Sequence, residues 1–158
     1  MGNIFAGSEI VELGIQIEKN GRDFYNTLVK KTKNESSREV FKYLAGEEER
    51  HIVVFQKILE KLEKYEPANV YADEYFAYMN SLASEYVFTQ KDKGEEIAKK
   101  IKGDKEAIDM GIKFEKDSIL FYDGMKKAVS PDEQKVVDEL ISQEKDHLLR
   151  LFDLKNNI

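Results

Sequence analysis

Cysteine and tryptophan are absent from this chain, and proline and histidine occur twice each. Without cysteine there can be no disulfide, no thiolate metal site and no cysteine nucleophile. With so little proline, long helices meet few breakers. No segment reaches the roughly 18 consecutive apolar residues of a membrane-spanning helix. The first residues, Met1-Gly2-Asn3-Ile4-Phe5-Ala6, hold neither a basic stretch nor a long apolar run, so no signal peptide is expected. Ala6 also breaks the N-myristoylation pattern. Positive charge is in short supply: 25 Lys and Arg stand against 31 Asp and Glu, for a net charge of −6. A nucleic-acid partner therefore has little electrostatic support. The expectation is a cytoplasmic protein with no nucleic-acid and no membrane partner.

What the chain does have is a repeat. Its 158 residues suit one domain, 1–158, with a full hydrophobic core. At 41% hydrophobic and 35% charged, the composition favours long amphipathic helices over a sheet. The run Gly14-Ile15-Gln16-Ile17-Glu18-Lys19 with Phe24-Tyr25 recurs as Gly111-Ile112-Lys113-Phe114-Glu115-Lys116 with Phe121-Tyr122. More loosely, Val40, Leu44, Glu48, His51 and Phe55 recur as Val136, Leu140, Glu144, His147 and Leu151. The chain is thus one helix pair used twice, over about 8–65 and 104–155. Ser130-Pro131-Asp132-Glu133 is a strong helix start, and Ser36 with Glu39 reads as a second capping box. Ser8 and Asp104 are the expected N-caps of the other two helices, and Pro67 the stop after Tyr65. These signals predict helices over about 8–33, 36–65, 104–128 and 131–154. The stretch from Ala68 to Gly103 is long enough to let helices two and three run parallel, and it predicts further helix over Asp73 to Phe88 and Glu95 to Ile101. The fold class is all-α, a four-helix bundle with one long crossover that contains an extra helix.

Both histidines follow a glutamate by three residues, in Glu48-Glu49-Arg50-His51 and Glu144-Lys145-Asp146-His147. On a helix, such a pair shares one face. Glu18, Glu48, Glu115 and Glu144 all interrupt apolar stripes: Phe41, Leu44, Phe55 and Ile58 share the face of Glu48, and Val137, Leu140 and Leu151 that of Glu144. Burying four carboxylates without compensation costs many kcal/mol, so they take up protons or enclose something positive. Two divalent metals would balance the four carboxylates, with both imidazoles neutral. Carboxylate and imidazole ligands suit iron or manganese, and also zinc. Tyr25 and Tyr122 lie two turns beyond Glu18 and Glu115 on the same face, where each could hydrogen-bond a ligating carboxylate. Glu47 and Gln143 lie one turn before the histidines and could hold the opposite histidine's free nitrogen; Glu85 on the crossover is a candidate extra carboxylate. Gly14, Gly21 and Gly111 are expected to permit close packing near the metals.

In combination, Glu18 with Tyr25, Glu48-x-x-His51, Glu115 with Tyr122 and Glu144-x-x-His147 resemble the ferritin-like di-iron carboxylate proteins, and most closely their rubrerythrin-type branch. The resemblance covers roughly residues 8–155. It implies two iron ions, held by Glu18 and His51 on one side and Glu115 and His147 on the other, with Glu48 and Glu144 bridging. It implies a di-iron oxidoreductase that reduces hydrogen peroxide or dioxygen in oxidative stress, or alternatively a ferroxidase that oxidises iron for storage or sequestration. Two departures stand out. The cysteine-bearing rubredoxin domain is absent, so an external electron donor such as a rubredoxin-like protein is expected. The extra glutamate three residues beyond the third-helix ligand is replaced by Ser118, which leaves a symmetric set. A homodimer is the expected assembly, with Tyr75, Phe76, Tyr78 and Tyr86 assigned to the core or to its interface.

Overall fold

The computed structural model describes residues 6–64 and 73–158. Six α-helices among these residues run in the order α1 (Gly7–Lys31), α2 (Glu35–Lys64), α3 (Asp73–Glu85), α4 (Lys93–Lys100), α5 (Asp104–Met125) and α6 (Pro131–Asn156). Single 3₁₀ turns follow α3 and α5, at Val87–Thr89 and Lys126–Ala128. No strand occurs among the described residues. The all-α expectation holds, and the four long helices match their expected spans closely. Tyr65 and Pro67, the expected stop of the second helix, lie outside the described residues.

Each half of the repeat folds as a tight helix pair, α1 on α2 and α5 on α6, and the two pairs close into a bundle through α1 against α5 and α2 against α6. Its core is apolar and aromatic, with Phe24, Phe41, Phe55, Phe114 and Phe121 at most 2% exposed. Burying such side chains contributes about 1.5–3 kcal/mol each and dominates the stability of the bundle.

The helix ends differ in part from expectation. Ser130 caps α6 as its sequence predicts, its hydroxyl accepting the Glu133 amide at 3.3 Å with Pro131 in the first turn. The cap of α2 is Asn34 rather than Ser36: its Oδ1 accepts the Ser37 amide at 2.9 Å, so the helix begins one residue before Ser36. Ser8 lies inside α1, whose N-cap Ala6 offers no side chain to the helix. Asp104 is likewise the first residue of α5 and not its cap. Its carboxylate instead accepts the Thr32 hydroxyl at 2.7 Å, which ties the end of α1 to the start of α5.

The crossover is fastened to α1 by one buried side chain. The Asn20 amide donates to the carbonyls of Phe88 and Gln90, both at 2.6 Å, and its oxygen accepts the amides of Lys93 and Gly94 at 3.1 and 3.0 Å. All the bonding capacity that matters in a buried Asn is thereby used. Gly94 is required here, because a Cβ would stand 1.9 Å from the Asn20 carbonyl oxygen. Lys31 closes the other end of α4, its ammonium donating to the carbonyls of Ala98, Lys99 and Ile101. These contacts hold α4 on α1, while α3 leans on α5. Tyr86 is core, 6% exposed, Tyr75 and Phe76 are half-buried against it, and Tyr78 is 48% exposed.

Candidate metal centre

The repeat places one glutamate on each of the four long helices at the same level of the bundle: Glu18 on α1, Glu48 on α2, Glu115 on α5 and Glu144 on α6. His51 and His147 stand one turn beyond Glu48 and Glu144. All six are at most 1% exposed. Their donor atoms form two groups, Glu18–Glu48–His51–Glu144 and Glu48–Glu115–Glu144–His147, and within each the atoms lie within 4.8 Å of one another. Glu48 and Glu144 belong to both groups.

Glycines let the elements approach. A Cβ on Gly21 would meet Phe114 Cζ at 2.4 Å and Glu48 Oε2 at 3.1 Å, and one on Gly111 would meet Leu151 at 3.2 Å and the Tyr25 hydroxyl at 3.4 Å. On Gly14 it would meet the Met125 methyl at 2.7 Å. Ordinary side chains at Gly14 and Gly21 would displace the walls of the site.

The tyrosines cross the bundle. Tyr25 donates to Glu115 Oε1 at 2.8 Å and Tyr122 donates to Glu18 Oε1 at 2.6 Å, so each serves the carboxylate of the other repeat half. Burial and the nearby carboxylates raise both phenols well above their ordinary range, so they remain donors. The other oxygens, Glu18 Oε2 and Glu115 Oε2, have no hydrogen-bond partner. Glu48 and Glu144 have neither oxygen partnered. The pattern separates two carboxylates with one oxygen anchored and one free from two with both free.

Each histidine turns Nδ1 toward the cluster. For His51, Nδ1 is 2.8 Å from Glu144 Oε1 and 3.5 Å from Glu18 Oε2, while Nε2 lies 2.7 Å from Gln143 Oε1. The amide oxygen can only accept, so Nε2 carries the proton and a neutral ring offers a bare Nδ1 to the cluster. His147 Nδ1 lies 3.4 Å from Glu48 Oε1 and 3.6 Å from Glu144 Oε2. Its Nε2 has no hydrogen-bond partner, and Glu47 Oε1 stands 3.9 Å away. Glu47 bonds outward instead, accepting the Tyr43 hydroxyl at 2.8 Å and pairing with Arg50.

Without a bound cation, these groups would resolve their charge through protons. Burial and the neighbouring carboxylates raise Glu48 and Glu115 well above the usual carboxylate range. Burial likewise opposes Glu144, but the closely facing Glu115, His147 and His51 side chains hold it well below that range. Burial disfavours the imidazolium ions, yet the carboxylates overcome it and push His51 up to about 12 and His147 up to about 11. The two rings lie 5.6 Å apart and 14° from parallel, so like charges then stack face to face. Two divalent cations would take the place of those protons. Eight buried donor atoms without hydrogen-bond partners surround that space, and His147 Nε2 and Ser37 Oγ are the other such atoms among the described residues. Hard carboxylate oxygens with imidazole nitrogens fit iron, manganese or zinc.

Glu85 does not reach the cluster; it is exposed on α3. Ser118 is buried and its hydroxyl lies 2.9 Å from that of Tyr86, which also donates to the Phe114 carbonyl at 3.1 Å. The crossover thus closes this side of α5 with a neutral pair of hydroxyls.

A helical bundle enclosing two overlapping carboxylate–histidine groups is the architecture of the ferritin-like di-iron carboxylate proteins. The chain belongs to the rubrerythrin family, whose model matches residues 9–155. It is also similar to a solved structure from Thermotoga maritima, assigned as a ferritin-like diiron-carboxylate protein: the two are 28% identical over 99% of this chain and 98% of that one, with a TM-score of 0.68. No curated protein matches the chain. No helix among the described residues is long and apolar enough to cross a membrane.

Proposed function

We propose that this chain is a di-iron oxidoreductase that reduces hydrogen peroxide or dioxygen with electrons from an external donor. The observation that carries this reading is the set of unpartnered donor atoms shared between two overlapping groups. Glu18 and His51 would hold one ion, Glu115 and His147 the other, and Glu48 and Glu144, each with both oxygens free, would bridge. Two ferrous ions there would supply the two electrons that, with two protons, convert peroxide to two waters.

The protein's own contributions follow from its geometry. Tyr25 and Tyr122 fix one oxygen of each terminal carboxylate and leave the other aimed inward. Gln143 fixes the tautomer and the ring plane of His51. Phe41, Phe55 and Phe114 pack against these tyrosines and exclude water, which strengthens every charge interaction inside. With no cysteine in the chain, an electron donor such as a rubredoxin-like protein would restore the ferrous state. A homodimer is the proposed assembly.

The symmetric set with Ser118 favours a second reading, in which the same site oxidises ferrous iron as its substrate for storage or sequestration. Anaerobic iron loading, followed by rapid mixing with peroxide or oxygen, separates the two. The expected result is two irons per chain, oxidised faster by peroxide and returned to the ferrous state by a reductant without loss of iron. Continued turnover of added ferrous iron into a mineral on a large multisubunit shell would establish the second reading instead. Fewer than one iron per chain after loading would overturn both.

A further inference from the structure

The internal repeat makes the two halves of the site equivalent in their ligands but not in what supports those ligands. Gln143 precedes Glu144 as Glu47 precedes Glu48, and each faces the histidine of the opposite half. His51 Nε2 meets Gln143 Oε1 at 2.7 Å, whereas His147 Nε2 stands 3.9 Å from Glu47 Oε1 and has no partner. Distance along the chain does not explain the gap, because the two residues occupy the same place in the repeat. The surroundings of Glu47 do. Its carboxylate is drawn toward the surface by the Tyr43 hydroxyl and by Arg50, one turn before it and one turn after. Arg150 in turn lies over the Tyr43 ring, 4.3 Å from its centroid, and holds that ring in place. Gln143 has no such competing partner among the described residues and turns inward.

A metal-ligating histidine whose distal N–H is held has its ring plane set before the ion arrives. One without that bond must be ordered at the ion's cost, and it is a weaker base toward the metal. We propose that the two metal positions are unequal, the ion at His51 being held more tightly than the ion at His147, and that Gln143 and Glu47 are the positioning residues that set the difference. The inference rests on the di-metal reading above. The weakly held ion is the one that exchanges.

The test is an anaerobic titration of the metal-free full-length chain with Co²⁺ alone, read by visible absorption and by calorimetry. Two binding events are expected, separated at least about tenfold in affinity. His51→Ala should remove the tighter event and His147→Ala the weaker one. Gln143→Ala should weaken the tighter event by about 10- to 100-fold and leave the other unmoved, and Gln143→Glu, which keeps an acceptor, should preserve it. Arg50→Ala combined with Tyr43→Phe frees Glu47 to turn inward and should bring the weaker event toward the tighter. A general loss of packing would move both events together and would not be rescued by Gln143→Glu. Two events of equal affinity in the native chain, or equal weakening of both by Gln143→Ala, would overturn this inference and leave the di-metal reading intact. Fewer than two Co²⁺ per chain would overturn that reading itself.

Discussion

Asn20 and the cluster around Glu48 and Glu144 are both wholly buried polar groups on the long helices, and the protein treats them in opposite ways. At Asn20 two donors and two acceptor sites meet four backbone groups of the crossover. In the cluster nine atoms have no hydrogen-bond partner, although six polar side chains crowd the same space. A buried polar group left unpaired costs about 1–3 kcal/mol, more if it is charged, so a fold does not carry nine of them as a joint. Asn20 is complete within the protein. The cluster is complete only with something added, and its acceptor-rich chemistry makes that addition cationic.

The comparison breaks most sharply on the ligands themselves. Glu48→Ala removes a carboxylate common to both groups and should lower the bound metal from two ions per chain to one or none. His147→Ala should remove one. Helical content by circular dichroism should stay largely native in both, because the apolar core around them is untouched and the lost groups are unsatisfied in the metal-free fold. Metal analysis that still finds two ions per chain in both variants would show that these residues are not ligands.

Acidity separates the two regions next. In the metal-free chain His51 and His147 bind protons more tightly than the ordinary 6.5, at about 12 and about 11. Their stabilisation is complete below about pH 6.5 and is lost as the pH rises through 6.5 toward those values, by up to about 1.4 kcal/mol per pH unit for each. Glu48 and Glu115, raised from 4.5, act in the same direction from that pH upward. Glu144, lowered from 4.5, acts oppositely, and its stabilisation is lost on acidification below that value. The metal-free protein should therefore melt highest near about pH 4.5 and decline steadily from there through neutrality. Loading with two divalent ions displaces the histidine protons, so metal should reverse the slope and release at least two protons per chain at neutral pH. A metal-free melting temperature that is flat or rising between pH 6 and 8 would contradict the clustered charges.

Much of this site is legible in the sequence, because it is written in local spacing. Glu-x-x-His on one helix face, repeated in register and set in apolar stripes, needs no knowledge of the partner helix to be read. What depends on contacts between distant segments is less legible. Tyr25 stands two turns beyond Glu18, yet its hydroxyl binds Glu115, because the facing helix, and not its own, presents the nearer oxygen. Glu47 and Gln143 look interchangeable in the repeat, and only the outward pull of Tyr43 and Arg50 distinguishes them. The caps show the same limit at short range. Ser36 with Glu39 has the pattern of a capping box, but Asn34 stands two residues earlier and captures the Ser37 amide first. Asn20 left no signal that spacing alone could show, since its partners lie 68 to 74 residues away.

Asn20 supplies the smallest of these effects and the complementary control. Asn20→Ala would strip four bonds from the crossover, but the four groups left behind are not equally exposed. The Phe88 carbonyl and the Gly94 amide are buried, whereas the Gln90 carbonyl and the Lys93 amide are only partly so and can turn to water. Two buried orphans at about 1 kcal/mol or somewhat more each give an expected loss of about 2–3 kcal/mol, read from the midpoint of denaturant unfolding. Metal stoichiometry should remain at two ions per chain, because Asn20 faces the crossover and none of its partners belongs to either ligand group. A loss of metal without a loss of stability would mean that the crossover governs the site directly. A loss of stability alone would mean that a satisfied polar group holds the fold while an unsatisfied cluster is held by it for binding.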